Sequence, residues 1–334
     1  GSLAGDAPDL ADLGKLSAQL DLTWAEQRLT LNTVRLDETE SGAALTLGGH
    51  VDLATDTPAF EVRGAWERLR WPLTGDALVQ APLGQLDVTG DLDAFDYVLG
   101  AELFGANVPE TRLTLNGTGS SESTRIDALL VETLGGRIEA KGTAAWAPAV
   151  TWDLALTAAD IDPGLQVPGL DGKVALKADS RGGLDDGYSF GANLVAELAD
   201  YPGVVANIAG TGDLERAELT TLTVETLGGV IEGGGELAWV PALAWKASLT
   251  ASELDPGRQY PGLDGRIGFR LDSAGGLEQG FDYQLQGSAG IADYPPAVVD
   301  LRGRGTAEAA ELDKLDIQVL DGRIDGTGRV TLSL

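Results

Sequence analysis

Residue types that usually support catalysis or metal binding are scarce in this chain of 334 residues. It contains no cysteine and no methionine, and His50 is its single histidine. The lack of cysteine excludes thiol chemistry and thiolate metal sites, and one histidine cannot build a multi-histidine metal site and argues against a His-based triad. We interpret His50 as a solvated strand residue and expect no catalytic centre, metal site or cofactor.

Basic residues and long apolar runs are also scarce. The chain has 23 Lys and Arg against 52 Asp and Glu, a formal net charge of −29. Such a charge repels nucleic acid, so we expect no nucleic-acid partner and a solvated outer face. No run approaches the roughly 18 to 20 apolar residues of a membrane-spanning helix. Gly1 and Ser2 resemble a vector remnant and no initiator methionine is present, so we expect a piece of a longer protein.

An internal repeat is the strongest positive signal. Residues 131–136, Val-Glu-Thr-Leu-Gly-Gly, recur as residues 224–229, a spacing of 93 residues (224 − 131), and 45 of the 93 paired positions are identical without gaps. A fixed period is typical of arrays in which each copy packs on the next. The predicted divisions are N-terminal strands or a cap at 1–40, a diverged β repeat at 41–130, β repeats at 131–223 and 224–316, and the start of a further copy at 317–334.

Alternation within each copy indicates strands. Ile138, Ala140 and Ala144 fall on one side of an extended chain, and Glu139 and Lys141 fall on the other. Strands joined by tight reversals pair with their sequence neighbours, which predicts an antiparallel meander. Only residues 8–20, with leucines at 10, 13, 16 and 20, allow helix or strand. The predicted turns are Gly135-Gly136, Asp162-Pro163-Gly164, Asp171-Gly172, Gly182-Gly183, Asp264-Gly265, Gly275-Gly276 and Asp321-Gly322.

Other motifs have simpler explanations than a binding site. Most carboxylates lie beside Gly or Pro in turns, where they cap the backbone. Asp171-Gly172 and Asp264-Gly265 lack the nine-residue spacing of calcium-binding repeats. The run Gly233-Gly234-Gly235 lacks the lysine and helix of a phosphate loop, so it predicts a strand kink or bulge.

One side of the predicted sheet is apolar and has to be covered, because exposing it costs about 25 cal/mol per Å². The sheet could form a sandwich filled by its own side chains, a closed barrel, or a U-shaped trough filled by a ligand. Its inward positions are rich in Ala, Gly, Leu and Val, and aromatic residues make up only 6% of the chain. This composition favours the trough slightly.

The order of motifs resembles the repeated periplasmic region of TamB, in the AsmA-like superfamily. Leu227-Gly228-Gly229 is followed by residues 235–239, Gly-x-x-x-Trp, then by Leu254-Asp255-Pro256-Gly257 and by residues 261–265, Pro-Gly-Leu-Asp-Gly. The resemblance implies an all-β fold: an elongated antiparallel meander sheet folded lengthwise into a U-shaped trough, or β-taco, with an apolar interior.

The resemblance also implies a function, that of a non-enzymatic periplasmic segment of an inner-membrane-anchored envelope protein. Such a segment conducts phospholipids between the inner and outer membranes, with phospholipid acyl chains and a TamA-type outer-membrane barrel as partners. A scaffold or chaperone for outer-membrane protein assembly with that barrel is the alternative, and a spacer with a dry core is a third. The repeated tryptophans could line the lipid path, anchor packing or lie at its rim. The predicted groove-lining residues are Ile138, Trp146, Trp152, Leu154, Leu156, Ile231, Leu237, Trp239, Trp245, Leu249 and Ile324.

Overall fold

A computed structural model describes residues 15–54, 57–73 and 75–331. The chain divides into two compact units, residues 1–173 and 174–334. Gly1, Ser2 and most of the segment with ambiguous leucine spacing, residues 8–14, lie outside the described residues. Leu16 and Leu20, at the end of that segment, lie in a strand.

The period-two alternation produces strands of nine to thirteen residues. In the described part of the first unit these are β1 Leu16–Ala25, β2 Arg28–Glu38, β3 Ala44–Asp52, β4 Ala59–Trp71, β5 Val79–Asp91, β6 Phe95–Gly105, β7 Thr111–Gly119, β8 Ser123–Thr133, β9 Gly136–Ala145 and β10 Thr151–Ile161. Strand β11, Gly172–Gly183, begins in the first unit and ends in the second. The second unit continues with β12 Gly187–Leu198, β13 Val204–Gly212, β14 Arg216–Thr226, β15 Gly229–Ala238, β16 Ala244–Leu254, β17 Gly265–Gly276, β18 Gly280–Ile291, β19 Ala297–Gly305, β20 Ala309–Val319 and β21 Gly322–Thr331.

Each strand pairs antiparallel with the next along the chain, from β1 to β10 in the first unit and from β12 to β21 in the second. Short connections enforce this order, because a parallel pair needs a long crossover. The helical segments among the described residues are two three-residue 3-10 turns, Pro163–Leu165 and Pro256–Arg258. The predicted all-β antiparallel meander is confirmed.

Several connections are the tight turns that the sequence predicts. Leu134 and Gly135 have φ of +49° and +71°, and Leu227 and Gly228 repeat these values within a degree. Two successive positive φ angles define the type I′ hairpin, whose twist matches that of the flanking strands. The turns predicted at Gly182-Gly183 and Gly275-Gly276 are wrong in position, since β11 continues to Gly183 and β17 to Gly276, and the chain reverses at residues 184–186 and 277–279.

The connections that follow β10 and β16 are held by one aspartate each. The Asp162 carboxylate accepts hydrogen bonds from the backbone N–H of Gly164 (3.0 Å) and of Gly172 (3.1 Å). Asp255 does the same in the second unit, at 3.0 Å from each of its two glycine donors. A carboxylate that accepts two backbone N–H groups fixes a loop without a core beneath it. These aspartates therefore act as turn anchors, as the sequence predicts.

Strand boundaries also recur with the spacing found in the sequence. Strands β9 and β15 begin at Gly136 and Gly229, and β10 and β16 begin at Thr151 and Ala244, an offset of 93 residues in both cases (229 − 136 and 244 − 151). The glycine run at 233–235 lies in β15, opposite a register shift in β14 between Leu219 and Leu222, so the predicted bulge is on the partner strand. The division of the chain into repeat domains stays a prediction.

The most buried carboxylate described lies at the end of β2, where it caps the connection to β3. Glu38 is 2% exposed, and it accepts hydrogen bonds from the backbone N–H groups of Glu40 and Ser41 and from the Ser41 hydroxyl. Donation by the Ser41 hydroxyl, followed by the backbone bonds, lowers the pKa of Glu38 to about 2. Glu38 therefore stays ionised and closes this loop at neutral pH.

Candidate functional site

In the first unit, the strand register aligns apolar residues into rows that run straight across ten strands. Residues directly opposite each other in an antiparallel pair lie on the same face of the sheet. One row is entirely aliphatic apart from a single glycine, and we call it the first aliphatic row. It consists of Leu20, Val34, Leu47, Gly64, Leu86, Leu99, Leu115, Leu129, Ala140 and Leu156.

The opposite face of the same unit carries a row that is as consistently polar as the first aliphatic row is apolar. His50 belongs to a row of ten polar residues, which agrees with its interpretation as a solvated strand residue. This first polar row consists of Thr23, Thr30, His50, Glu61, Thr89, Asp96, Thr118, Arg125, Thr143 and Asp153.

The second unit shows the same division between its two faces. The second aliphatic row consists of Ala192, Ile208, Leu222, Gly233, Leu249, Leu271, Leu285, Leu301, Leu315 and Gly326. The second polar row is offset from it by one residue on every strand. It consists of Asn193, Asn207, Thr223, Glu232, Thr250, Arg270, Gln286, Asp300, Asp316 and Asp325.

Few side chains of the two apolar faces are fully buried. Large members such as Leu20 (43% exposed) and Leu154 (37%) keep much of their surface accessible, and most of the others are half-buried. A sandwich of two packed sheets would bury its inner side chains completely. The buried apolar residues among those the structure describes are only Ala43, Ala44, Leu73, Ala81, Ala158, Ala206, Ala251 and Leu254.

Nine of the eleven residues predicted to line a groove lie on these apolar faces. In the first unit, Leu154 and Leu156 lie in adjacent rows of the face, and Leu156 belongs to the first aliphatic row. In the second unit, Leu249 belongs to the second aliphatic row and Ile231 to the neighbouring row. The complete set on the two faces is Ile138, Trp152, Leu154, Leu156, Ile231, Leu237, Trp245, Leu249 and Ile324.

The other two, Trp146 and Trp239, lie just beyond the ends of β9 and β15. The Trp146 indole N–H donates to the carbonyl oxygen of Ser121 (2.7 Å), and that of Trp239 donates to the carbonyl oxygen of Leu214 (2.6 Å). They are 50% and 40% exposed. Each tryptophan therefore binds a neighbouring turn and lies at one edge of the apolar face of its unit. We call this edge the Trp146 edge in the first unit and the Trp239 edge in the second.

A row of aromatic residues and glycines runs along each of these edges, and sequence reasoning missed it. In the first unit, the Trp146 edge row consists of Trp24, Leu29, Val51, Phe60, Gly90, Phe95, Gly119, Thr124, Ala144 and Trp152. In the second, the Trp239 edge row consists of Tyr188, Gly212, Ala217, Leu237, Trp245, Gly275, Phe281, Gly305, Ala310 and Val330. The sequence did contain a signal for this row, since most of these aromatic residues are the first or second residue of their strand.

The far ends of the aromatic rings extend over the glycines of neighbouring strands. A Cβ atom added to Gly119 would come 2.5 Å from the Phe95 ring, and one added to Gly305 would come 2.5 Å from the Phe281 ring. Neighbouring rings also contact each other, with centroids 5.1 Å apart for Trp245 and Phe281. Glycine is thus required where a ring covers the strand.

An apolar hollow lies on the same face of the second unit, away from the Trp239 edge. Its volume is about 430 Å³, and its lining is almost purely apolar. The hollow extends over β17, β18 and β19. The side chains that form it are Ile267, Phe269, Leu285, Ala289, Ala297 and Val299.

The polar faces are occupied by exposed ion pairs. A second hollow, of about 620 Å³, is lined partly by charged residues of the second unit such as Lys246 and Asp272. Asp272 is paired with Arg270 (2.7 Å), and Lys314 donates to Asp300 (2.6 Å) and thereby lowers the pKa of that carboxyl group. These are the contacts of a solvated surface.

Neither face of the described residues contains the elements of a metal centre. No group of three His, Asp or Glu side chains lies close enough together there to hold a metal ion. In the same described ranges, no helix is long and apolar enough to cross a membrane. The arrangement offers an apolar surface on one side and charge on the other.

Comparison with known proteins identifies the family. The family model described as "TamB, N-terminal domain" matches residues 15–188 and, a second time, residues 186–280. No solved structure matches the chain. Together the two matches span well over half of the chain. Members of the family are envelope proteins and are not known as enzymes. The chain therefore belongs to the TamB family.

Proposed function

We propose that this chain is a non-enzymatic, periplasmic segment that carries phospholipids between the inner and outer membranes along its apolar face. One observation carries the proposal: each unit presents aliphatic rows that continue across ten strands and that its own side chains leave partly exposed. An acyl chain placed on such a surface is removed from water at about 0.8 kcal/mol per CH₂ group. The predicted trough is the arrangement in which that face encloses lipid.

The regularity of the rows supports transport better than storage. Each strand contributes an apolar residue at the same level of the sheet, and several neighbouring strands contribute the same one, as with Leu271, Leu285 and Leu301 in the second unit. A surface that changes little from strand to strand gives cargo a nearly flat free-energy profile. Lipid can then move from one strand to the next without leaving a deep site.

Family membership supports the wider setting of the proposal. The TamB family is associated with lipid transport or with an assembly module that includes a TamA-type partner. We extend this to the chain as an inner-membrane-anchored parent protein that works with an outer-membrane barrel of that type. The eleven predicted residues then serve as the surface along which acyl chains pass.

Paired arginine substitutions on one strand test the proposal. Leu156→Arg places a charge on the apolar face of β10, whereas Thr157→Arg places it on the polar face one residue away. Leu249→Arg and Thr250→Arg form the same pair on β16 in the second unit. We expect native mass spectrometry of detergent-free protein to show bound phospholipid in the wild type, in Thr157→Arg and in Thr250→Arg, and strongly reduced lipid in the two leucine variants.

The outcome also separates a lipid-carrying face from a packed core. A charge in a dry core unfolds the protein, whereas a charge on an open face leaves the circular dichroism spectrum unchanged. Folded leucine variants that keep their full lipid content contradict the proposal. A wild-type chain that is free of lipid under gentle ionisation and gains none from vesicles contradicts it as well.

A further inference from the structure

The apolar face of the second unit changes in character from one edge to the other. At the Trp239 edge, Tyr188, Trp245 and Phe281 alternate with Gly212, Gly275 and Gly305. The next row inward still contains Phe190 and Tyr283. Beyond it lies the second aliphatic row, and then a row whose single aromatic member is Phe269.

The first unit shows the same gradient with different residues. Its Trp146 edge row contains Trp24, Phe60, Phe95 and Trp152, whereas the first aliphatic row contains no aromatic residue. Trp66 lies one row further inward and covers Gly84, and Trp71 and Phe104 lie at the far ends of their strands. Most of the aromatic residues on the described strands of both units nevertheless lie in the two rows nearest these edges.

Rings in the two rows nearest the Trp239 edge have polar groups that are hydrogen-bonded within the protein, one to a side chain of the next row inward and one to a backbone carbonyl. The Trp245 indole N–H donates to the Ser273 hydroxyl (2.9 Å), and the Tyr283 hydroxyl donates to the carbonyl oxygen of Glu311 (3.1 Å). Rings with one apolar face and one polar tip prefer the boundary between hydrocarbon and water. Aliphatic side chains and the nearly purely apolar hollow near Leu285 and Val299 suit hydrocarbon alone.

The turns at the Trp239 edge are acidic. Residues 184–186, 213–215, 277–279 and 306–308 contain Asp185, Asp186, Asp213, Glu215, Glu278 and Glu308 and no basic residue. The connections at the opposite edge are acidic as well, with Asp200, Asp264 and Asp293, so charge favours an ammonium headgroup and the aromatic row favours the Trp239 edge.

We propose that a phospholipid lies across the strands in one orientation, with an ammonium-bearing zwitterionic headgroup at the Trp239 edge and its acyl chains over the aliphatic rows. This rests on the proposed function and adds to it the orientation and the headgroup class of the cargo. The aromatic edge row supports the glycerol region, and the hollow at Leu285 receives the ends of the chains. The Trp146 edge has the same role in the first unit.

The opposite edge also carries exposed aromatic residues, namely Tyr201, Tyr260 and Tyr294. They lie in connections beyond the strand ends, and the face beside them is built from residues such as Ala206, Ala251 and Ala297. A reversed cargo would place its headgroup there. The experiment therefore has to distinguish the two ends of one strand.

Two positions on β15 provide this test in the full chain. Leu237 lies in the Trp239 edge row, and Ile231 lies six residues away on the same face, about 20 Å along the strand. The chain contains no cysteine, so Leu237→Cys and Ile231→Cys each introduce a single thiol that can be labelled with bimane. The probes are phosphatidylcholine with a nitroxide on the choline and phosphatidylcholine with a nitroxide near the acyl terminus. Thr250→Cys, on the polar face, is the control.

We expect the headgroup nitroxide to quench bimane at position 237 at least about twofold more than at position 231, and the acyl nitroxide to show the reverse order. Quenching of both positions to the same extent by both lipids, or the opposite order, overturns the proposed orientation. So does the absence of quenching when native mass spectrometry shows bound lipid, because the cargo then lies elsewhere. If no lipid binds at all, the proposed function itself has failed, and the mass spectrum distinguishes that case.

The headgroup class is tested with an acyl-labelled phosphatidylglycerol. Its negative headgroup lacks an ammonium, so we expect it to quench position 231 less than phosphatidylcholine does at the same concentration. The difference should shrink at high salt because the attraction is electrostatic. Equal quenching by both lipids at low salt overturns the assignment of an ammonium headgroup while leaving the orientation to the first experiment.

Discussion

Two rows of the second unit, one residue apart on every strand, show how differently the two faces of one sheet are stabilised. The second aliphatic row contains only Ala, Ile, Leu and Gly, and the second polar row contains only Asn, Thr, Glu, Arg, Gln and Asp. The alternation holds across ten strands although the individual residues vary. From strand to strand, the polarity of the residue at a given level is therefore kept more strictly than the residue type.

The contacts on the two faces differ in kind. On the apolar face, rings cover glycines closely, so the addition of one methyl group lowers the stability of the fold. On the polar face, most ion pairs are exposed; Arg270 and Asp272, for example, keep 58% and 42% of their side-chain surface. Exposed pairs contribute about 0 to 1 kcal/mol each. Substitutions that alter shape should therefore cost more than substitutions that alter charge.

The largest effect is expected where a ring covers a glycine. Gly305→Ala brings a methyl group into the Phe281 ring, and the ring atoms are its close contacts. Such overpacking costs about 1 to 3 kcal/mol. In a Phe281→Leu background the obstructing atoms are gone, so Gly305→Ala should cost clearly less. Urea unfolding of the four proteins of this double-mutant cycle measures the coupling.

Gly210 provides the matched control for this cycle. A methyl group there meets the Phe190 ring at 2.5 Å, but it also meets the backbone carbonyl of Glu218. Replacing Phe190 by Leu removes only the first obstacle. Gly210→Ala should therefore stay destabilising in both backgrounds, and a cycle that shows no coupling at Gly305 would mean that shape does not hold the apolar face.

An intermediate effect on stability is expected at the Trp146 and Trp239 edges. Trp239→Phe keeps a ring but removes the indole N–H that donates to Leu214, and Trp146→Phe does the same at Ser121 in the first unit. Loss of one such bond costs about 0.5 to 1.5 kcal/mol, and partial exposure favours the lower part of that range. Urea midpoints measure it. Tyr294→Phe, in an exposed connection at the opposite edge, should change the midpoint much less.

The features of the fold that the sequence predicts are those set by residues close together in the chain. The alternation in Ile138 to Trp146 and the anchors at Asp162 and Asp255 are local signals, and the strands and loops appear where those signals predict them. The turn predicted at Gly182-Gly183 is displaced, because both glycines lie within β11 and a Cβ atom at Gly182 would meet the backbone and Cβ of Tyr188 on the next strand. A local rule for turn residues cannot see that contact.

The parts of the site that the sequence did not reveal depend on register. Which glycine lies under which ring is decided by pairing between strands, as for Phe281 with Gly305, which are 24 residues apart (305 − 281). Trp146 and Trp239 continue the apolar alternation in sequence, yet their indoles reach a turn 25 residues earlier in the chain. Alternation alone therefore identifies the apolar face and leaves its edges undefined.

The smallest effect is expected on the polar face, and its signature is a pH dependence. The Lys314 ammonium donates to Asp300, and this hydrogen bond is the largest cause that lowers the pKa of Asp300. Because the folded pKa lies below the unfolded value of about 3.9, the stabilisation is present above that pH and is lost as the pH falls through the folded pKa. Lys314→Met should raise the pKa of Asp300 toward its ordinary value, which carboxyl NMR titration measures, and change the urea midpoint at pH 7 only slightly. Lys246→Met, on the polar face of β16, should leave the Asp300 titration unchanged; an Asp300 pKa that does not respond to the loss of Lys314 would show that the pairs on this face act as independent, fully hydrated charges.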